Sequence, residues 1–407
     1  MFTLRSAEDI RRRFPHLPST YLAGIEKFDS RFRFGISEET LSYLRKDENG
    51  VPLLSDPLAR IYWPFPDLLQ AKDHEADYGN ADNWEFPGEF PIAANSAWQW
   101  KYPDRIVFRE HRCVQYCLYC FESNRTMDKA TRLHQRKEDW AEGIAFVRAH
   151  PEIREVIFSG GEPMVVSDSV LEERLKDVRS ISSVRSVRIH TAKGVHDTDR
   201  LSEEFASLCA RYAVTEIALH ILHPRQVTER FAAAMRRLAS GCGSMLRFAH
   251  IPILHGVNDD TEIVRELCVK LGEVGVKAYY ALLEMPSTSG IKKSRVSVQR
   301  MVEIMQPLVN RHFVHMLAPE PIIVARGGKK TVPMQRTHFW LHRSQVQERV
   351  WAIDNTHQLL ENFSLARQSD LFEFDGTPDF MYTTYGNRPV IVCKNWNGLW
   401  EMYPDAC

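Results

Sequence analysis

The chain has 407 residues, 44% hydrophobic and 26% charged, close to an ordinary globular protein and long enough to bury a sizeable core. Its 52 basic and 53 acidic side chains leave a formal net charge of −1, which excludes global steering toward nucleic acid or an anionic membrane. Such a length is expected to hold two or three domains, or one large barrel with attachments.

In chain order, Met1–Asp9 shows no apolar secretion signal, and no later apolar run is long enough to span a bilayer, so the expected compartment is the cytoplasm. Residues 1–100 begin helical. Ser37-Glu-Glu-Thr-Leu-Ser-Tyr-Leu carries a helix start, with Ser37 as cap and Glu38 and Glu39 in the first turn. The stretch 73–100, rich in Asp, Asn, Gly and Pro and bearing Trp84, Trp98 and Trp100, reads as a long ordered loop. From 105 to about 325, strand-like runs at 106–108, 155–158, 184–190, 216–222, 246–253 and 276–283 alternate with helix-period stretches. Repeated βα units predict a parallel sheet with helices outside, and about six units fit a partial barrel whose strand-end loops carry the chemistry. Residues 335–362 include a helical pattern, and 370–407 are strand-like.

Eight cysteines occur, and three of them, Cys113, Cys117 and Cys120, crowd into eight residues directly after the first βα strand. A secreted disulfide scaffold would be smaller and denser in cysteine. A structural zinc site normally takes four ligands. Three thiolates on a four-iron cluster would instead leave one iron open to chelate a small molecule. Zinc with His111 as fourth ligand, or plain buried cysteines, are the competing readings. After the second strand comes Ser159-Gly160-Gly161-Glu162-Pro163, where glycines let backbone approach a ligand and a carboxylate can accept from an ammonium group. Gly256-Val257-Asn258-Asp259 follows the fifth strand, and its Asn-Asp pair also suits a helix cap.

The CxxxCxxC spacing, with an aromatic before the last Cys, resembles the radical S-adenosylmethionine superfamily. That resemblance implies a [4Fe–4S] cluster on the three cysteines, and S-adenosylmethionine held by Ser159, Gly160, Gly161 and Glu162, with Asn258 near the adenine. Over residues 50–340 the chain is similar to the lysine 2,3-aminomutase family, through Lys101-Tyr-Pro-Asp-Arg105, Ser159-Gly-Gly-Glu, Ser167-Asp168, His220-Ile-Leu-His-Pro-Arg-Gln-Val-Thr-Glu229, Tyr279-Tyr280 and Ala325-Arg-Gly-Gly-Lys-Lys330. It implies pyridoxal phosphate joined to Lys329, with Lys330 adjacent, and a phosphate gripped by Lys101 and Arg105. The implied reaction is a 1,2-amino migration that turns an α-amino acid into a β-amino acid.

The departures concern the substrate. Glu122 stands where the family places the arginine that binds the substrate carboxylate, and Arg125 is the replacement three residues on. Ile322 and Met285, beside Glu284, replace two aspartates that grip lysine's distal ammonium, so free lysine is not the expected substrate. His190-Thr-Ala-Lys193 replaces the family's Gly-Ser/Thr-Arg, leaving Lys193 or Arg188 for that contact, and Cys393 and Cys407 alone do not rebuild the C-terminal zinc cysteines of some members.

The expected fold is α/β: a partial (βα)6 TIM-like barrel over 105–325, a helical and loop region over 1–104, and a small α+β element over 326–407 that includes the lysine loop. The expected function is a radical aminomutase acting on an amino acid other than free lysine. The alternative is a radical epimerase or dehydrogenase without pyridoxal phosphate. The expected partners are a small amino-acid substrate and an external electron donor of flavodoxin or ferredoxin type, with no nucleic acid or membrane and a homo-oligomer left open.

Overall fold

The computed structural model describes residues 2–65, 93–94, 96–113, 115–120, 122, 126–130, 132, 134, 136–283, 294, 296–310, 318–325 and 328–332, and the strand backbones at 372–373, 380–385, 388–394 and 400–404. Two short strands, β1 (Phe2–Leu4) and β2 (Ile36–Ser37), pair antiparallel near the start. The main sheet has ten strands, β3 (Ala93–Ala94), β4 (Trp98–Tyr102), β5 (Arg105–Glu110), β6 (Glu155–Gly160), β7 (Ser186–Thr191), β8 (Glu216–His220), β9 (Leu246–Ile253), β10 (Lys277–Leu283), β11 (Glu320–Ala325) and β12 (Gly328–Thr331), lying side by side in chain order. From β5 to β11 every neighbouring pair is parallel, while β3, β4 and β12 add antiparallel edges. A separate four-stranded antiparallel sheet, β13 (Phe372–Glu373), β14 (Phe380–Tyr385), β15 (Arg388–Lys394) and β16 (Trp400–Pro404), ends the chain.

Four helices precede the main sheet: α1 (Ala7–Arg13), α2 (Ser19–Arg31), α3 (Glu38–Tyr43) and α4 (Pro57–Tyr62). Seven more lie in the crossovers: α5 (Lys137–Ala149), α6 (Asp168–Arg179), α7 (Lys193–His196), α8 (Glu203–Arg211), α9 (Glu229–Gly241), α10 (Thr261–Glu273) and α11 (Val298–Asn310). Local chemistry starts them. Thr228 accepts from the Phe231 amide at 3.1 Å to open α9, and Asp260 accepts from Glu262 and Ile263 to open α10. The buried positions of α9 (Phe231, Ala234, Met235, Leu238) and of α10 (Val264, Leu267, Cys268, Leu271) recur at the helical repeat and lay one stripe on the sheet.

The strands have two unlike faces, as period-2 alternation requires. Val156, Phe158, Val187, Ile189, Ile217, Leu219, Ala249 and Ile251 pack under the crossover helices, each large side chain contributing about 1.5–3 kcal/mol. Arg105, Glu155, Arg188, His190, Glu216, His220, His250 and Tyr280 alternate with them on the other, polar face.

The structure departs from the sequence reading in three places. The end of the expected 73–100 loop is an edge meander, in which Trp98 stacks on Phe146 with centroids 4.5 Å apart, while Trp84 lies outside the described residues. A seventh parallel strand, β11, was not expected, because a short apolar run such as Glu320-Pro-Ile-Ile-Val-Ala has no period of its own. The residues after Gly327 form a strand rather than a loop, with Lys329 opposite Val324 and Lys330 opposite Ile323 in an antiparallel hairpin that crosses position 325. The helical pattern at 335–362 lies outside the described residues.

Candidate active site

β5 ends at Glu110, and the chain turns through the cysteine loop at the C-terminal end of the parallel sheet. The N-terminal helices hold that loop. Leu118 donates to the Ile61 carbonyl at 3.1 Å, and Tyr116 packs edge-on to Phe28 with centroids 4.9 Å apart. Phe28, Phe32, Ile61, Tyr62 and Trp63 form a second core, and Cys113 and Cys117 pack against it. Burial pushes the Cys117 thiol well above its usual range, and the charges of Cys120 and Cys113 push it the same way. Three thiols that oppose one another's ionisation are a donor set that an iron cation would stabilise. His111 Nε2 is hydrogen-bonded to the Ser96 carbonyl.

The glycine-rich turn docks on this loop. Gly161 donates to the Glu110 carbonyl at 2.6 Å and Glu162 to the Arg112 carbonyl at 2.9 Å. Gly160 has φ +97°, and a Cβ there would lie 2.7 Å from the Glu110 backbone; a Cβ on Gly161 would lie 2.6 Å from the Arg112 carbonyl. These glycines are therefore needed to seat one loop on the other. Glu162 is 4% exposed, and its carboxylate accepts from Thr191 Oγ1 (2.7 Å), the Ala192 amide (2.8 Å) and the Met164 amide (3.0 Å). Burial raises its pKa, while Thr191 and Lys193 act against that. The charge of the same carboxylate also pushes the Cys117 thiol upward.

The loops after β8 and β9 complete the rim. Asn258 is fully buried and uses its side chain internally: Nδ2 donates to Leu222 (2.9 Å) and Pro252 (2.8 Å), and Oδ1 accepts from Leu254 (2.8 Å). The helix cap there is Asp260 rather than the Asn258-Asp259 pair. Gln226 accepts from the Leu222 amide at 2.7 Å and donates to Tyr62, while Arg225 pairs with the buried Asp56. These contacts tie the segment His223–Gln226 to the N-terminal helices.

No family model matches the chain. The L-lysine 2,3-aminomutase of Haemophilus influenzae is 32% identical over 224 residues, 54% of this chain and 65% of that protein. The enzyme of the same name from Methanococcus maripaludis is 29% identical over 235 residues, 58% of this chain and 53% of its own. The glutamate 2,3-aminomutase of Clostridioides difficile is 28% identical over 309 residues, 75% of this chain and 69% of its own. The chain is similar to lysine and glutamate 2,3-aminomutases. The match spans about half to just under two-thirds of the first two relatives' length.

In this lysine 2,3-aminomutase-like chain, several of the sequence candidates already have partners. Arg105 lies 3.1 Å from Asp104, 3.6 Å from Glu155 and over the Tyr102 ring. Arg188 bridges Glu155 and Glu216, and Lys193 donates to Asp197 at 2.8 Å. Glu122 is buried, and its backbone carbonyl accepts from the Thr126 amide and hydroxyl. Ile322 is buried on β11. Arg125, Glu284 and Met285, and the side chains of Lys101, Lys329 and Lys330, lie outside what is described. Among the described residues no helix is long and apolar enough to cross a membrane.

Sequence reading missed the support beneath the thiols, because its members are scattered along the chain. His196 is one of them: it is 1% exposed, with the Thr40 and Tyr43 hydroxyls 3.0 and 3.1 Å from Nδ1 and the Tyr62 ring 4.7 Å away. Burial and then Lys193 hold its pKa down to about 3. The unfolded imidazole titrates near 6.5, so between those values only the unfolded chain takes up the proton. Stability is therefore expected to fall as pH drops from about 6.5 toward 3, by about 1.4 kcal/mol per pH unit for this one group. Urea midpoints measured at pH 7 and pH 5 check this: His196→Gln should show the shallower dependence, and an equal slope in both proteins rules the account out.

Proposed function

We propose that this chain is a radical enzyme that cleaves S-adenosylmethionine on a [4Fe–4S] cluster and, with pyridoxal phosphate, moves an amino group between adjacent carbons of an amino acid other than free lysine. The observation that carries the reading is that the loop bearing Cys113, Cys117 and Cys120 is hydrogen-bonded to the glycine-rich turn of Glu162 at the strand ends of a parallel sheet. The polar strand face is read as the lumen of a partial (βα)6-type barrel, closed on the outside by the helices. The domain division proposed is 1–104, 105–325 and 326–407.

Within this reading Cys113, Cys117 and Cys120 hold the cluster, and Ser159, Gly160, Gly161, Glu162 and Asn258 line the S-adenosylmethionine site. Glu162 is held by three protein donors and accepts the methionyl ammonium through its remaining lone pair. Asn258 acts through the loop it shapes, since its own amide is spent on backbone. Lys329, paired with Val324 across the hairpin, is taken as the lysine that joins pyridoxal phosphate, with Lys330 adjacent. Lys101 and Arg105 are assigned to the phosphate, with Arg105 pre-set by Asp104 and Glu155. When bound, these groups supply one-electron chemistry and a conjugated ring that stabilises charge and spin next to the amine. The protein's part is to position, to exclude water and to select the substrate.

Selection falls to Glu122, Arg125 and Glu284. A buried carboxylate at Glu122 repels a substrate carboxylate and attracts a cationic group, and Ile322 presents no charge to a distal ammonium. An external acidic reductant of flavodoxin or ferredoxin type would dock over the basic rim of a cleft of about 800 Å3 that includes Arg112, the neighbour of Cys113. Six arginines and lysines line the cleft against three carboxylates, and burial together with nearby Arg132 lowers the pKa of Arg33 there. The cytoplasm suits such a reduced cluster.

The test is anaerobic reconstitution with iron, sulfide and pyridoxal phosphate, followed by reduction in the presence of S-adenosylmethionine and a panel of amino acids. Release of 5′-deoxyadenosine together with a β-amino product is expected. The visible absorption of bound pyridoxal phosphate should appear in the wild type and vanish in Lys329→Ala. One observation favours a second reading without pyridoxal phosphate: Arg105 is already paired with two carboxylates. In that case 5′-deoxyadenosine forms, but the absorption never appears.

A further inference from the structure

Three histidines meet on the polar face of the sheet. His190 on β7, His220 on β8 and His250 on β9 bring ring nitrogens within 4.8 Å of one another. Backbone pairing sets this arrangement. His220 and His250 are directly opposed across β8 and β9, and Tyr280 on β10 continues the row beyond His250. His190 rises from the adjoining strand on the face that carries Arg188 two residues earlier. Ligands on three adjacent strands of one sheet are held by the ladder itself, which is more rigid than a loop.

The rings converge edge to face. The His190 and His250 centroids are 5.1 Å apart at 84°, and those of His220 and His250 are 5.6 Å apart at 46°. His250 is 2% exposed, while His190 and His220 are half-buried, so the group is open on one side. In the adjoining layer Arg188 lies between Glu155 and Glu216, and Arg105 lies 3.6 Å from Glu155, so two positive charges meet two negative ones and the layer does not repel a cation. Zinc–imidazole bonds are about 2.0–2.1 Å, so a tetrahedral site needs nitrogens roughly 3.3 Å apart, which side-chain rotation of about an ångström supplies.

We infer that His190, His220 and His250 bind one divalent first-row transition ion, with a coordination position left facing the open side of the polar face. Three neutral imidazoles suit zinc, iron, nickel or copper over magnesium or calcium. A three-histidine set with a fourth position free is the arrangement that takes a water or an anionic oxygen ligand, such as a substrate carboxylate. The site uses no residue assigned above to the cluster, S-adenosylmethionine or pyridoxal phosphate. Its failure therefore leaves that reading standing, and failure of that reading leaves this one.

Zinc is the probe. The cluster-reconstituted protein is stripped of loosely bound metal with a chelator, given zinc, dialysed and assayed for zinc by mass spectrometry. Zinc-edge X-ray absorption then reads the ligands. The expected result is one zinc per chain, with nitrogen and oxygen neighbours at about 2.0–2.1 Å and imidazole outer-shell scattering. His220→Ala and His250→Ala should each weaken binding at least about tenfold while the iron content holds. No retained zinc, unchanged affinity in both variants, or sulfur neighbours at about 2.3 Å would overturn the inference, the last by placing zinc on the cysteines. If a variant does not fold, as judged by its circular dichroism, the wild-type absorption spectrum decides alone.

Discussion

A Cys117→Ser protein should stay colourless after anaerobic iron and sulfide reconstitution and release no 5′-deoxyadenosine above background. The loss should exceed about 100-fold, the upper end of what removing even an outer partner of a metal ligand does. Cys117 is the middle thiol, its ionisation is opposed by both others, and it packs against the second core, so no neighbouring side chain can take its place. Cys209 and Cys242 supply the control. Both are buried among apolar side chains beneath the sheet, and burial raises the Cys209 thiol. Cys209→Ser should therefore keep its iron. If Cys117→Ser still assembles a cluster of normal iron and sulfide content, the three-cysteine assignment is wrong.

Arg188→Leu should cost about 3–5 kcal/mol of stability near neutral pH, the usual penalty for stripping the partner from a buried ion pair. Arg188 reaches Glu155 at 2.8 Å and Glu216 at 2.5 Å, and all three side chains are about 15% exposed or less. Without it, Glu216 loses its arginine and faces Glu155, which keeps only Arg105 at 3.6 Å. The sign of the pH dependence identifies the cause. Acid neutralises the facing carboxylates in the folded variant before those of the unfolded chain, so the deficit should shrink as pH falls from 7 toward 5. Denaturant melts of both proteins at the two pH values measure it. A deficit that does not change with pH would mean lost packing rather than unbalanced charge.

The sequence displayed what is periodic or locally clustered. The βα rhythm placed β5 to β10 to within a few residues, because helix stripes such as Phe231, Ala234, Met235 and Leu238 follow one spacing and strands another. The three cysteines and the Ser159–Glu162 turn were visible because their chemistry needs them close in sequence. What stayed hidden depends on contacts across long separations. Tyr62 with Gln226, Arg225 with Asp56, and Thr40 with His196 bring residues from the first sixty-two positions to segments more than a hundred residues away. The glycines of the turn looked like room for a ligand, whereas the space beside them is filled by the backbone of Glu110 and Arg112. One signal was available and unused: His190, His220 and His250 recur every thirty residues near the ends of successive strands.

The second core, where Phe28, Phe32 and Tyr62 press on the cysteine loop, also bears on the order of assembly. The N-terminal helices leave the ribosome before the loop they cover, so one wall around the cysteine loop is already translated when Cys113 emerges. The glycine-rich turn that forms the other wall follows some forty residues later. On the proposed cluster assignment, iron and sulfide would meet a half-built mould until the second strand has paired with the first. Shortening the chain from its start would remove the earlier wall and leave the thiols exposed to oxidants during synthesis.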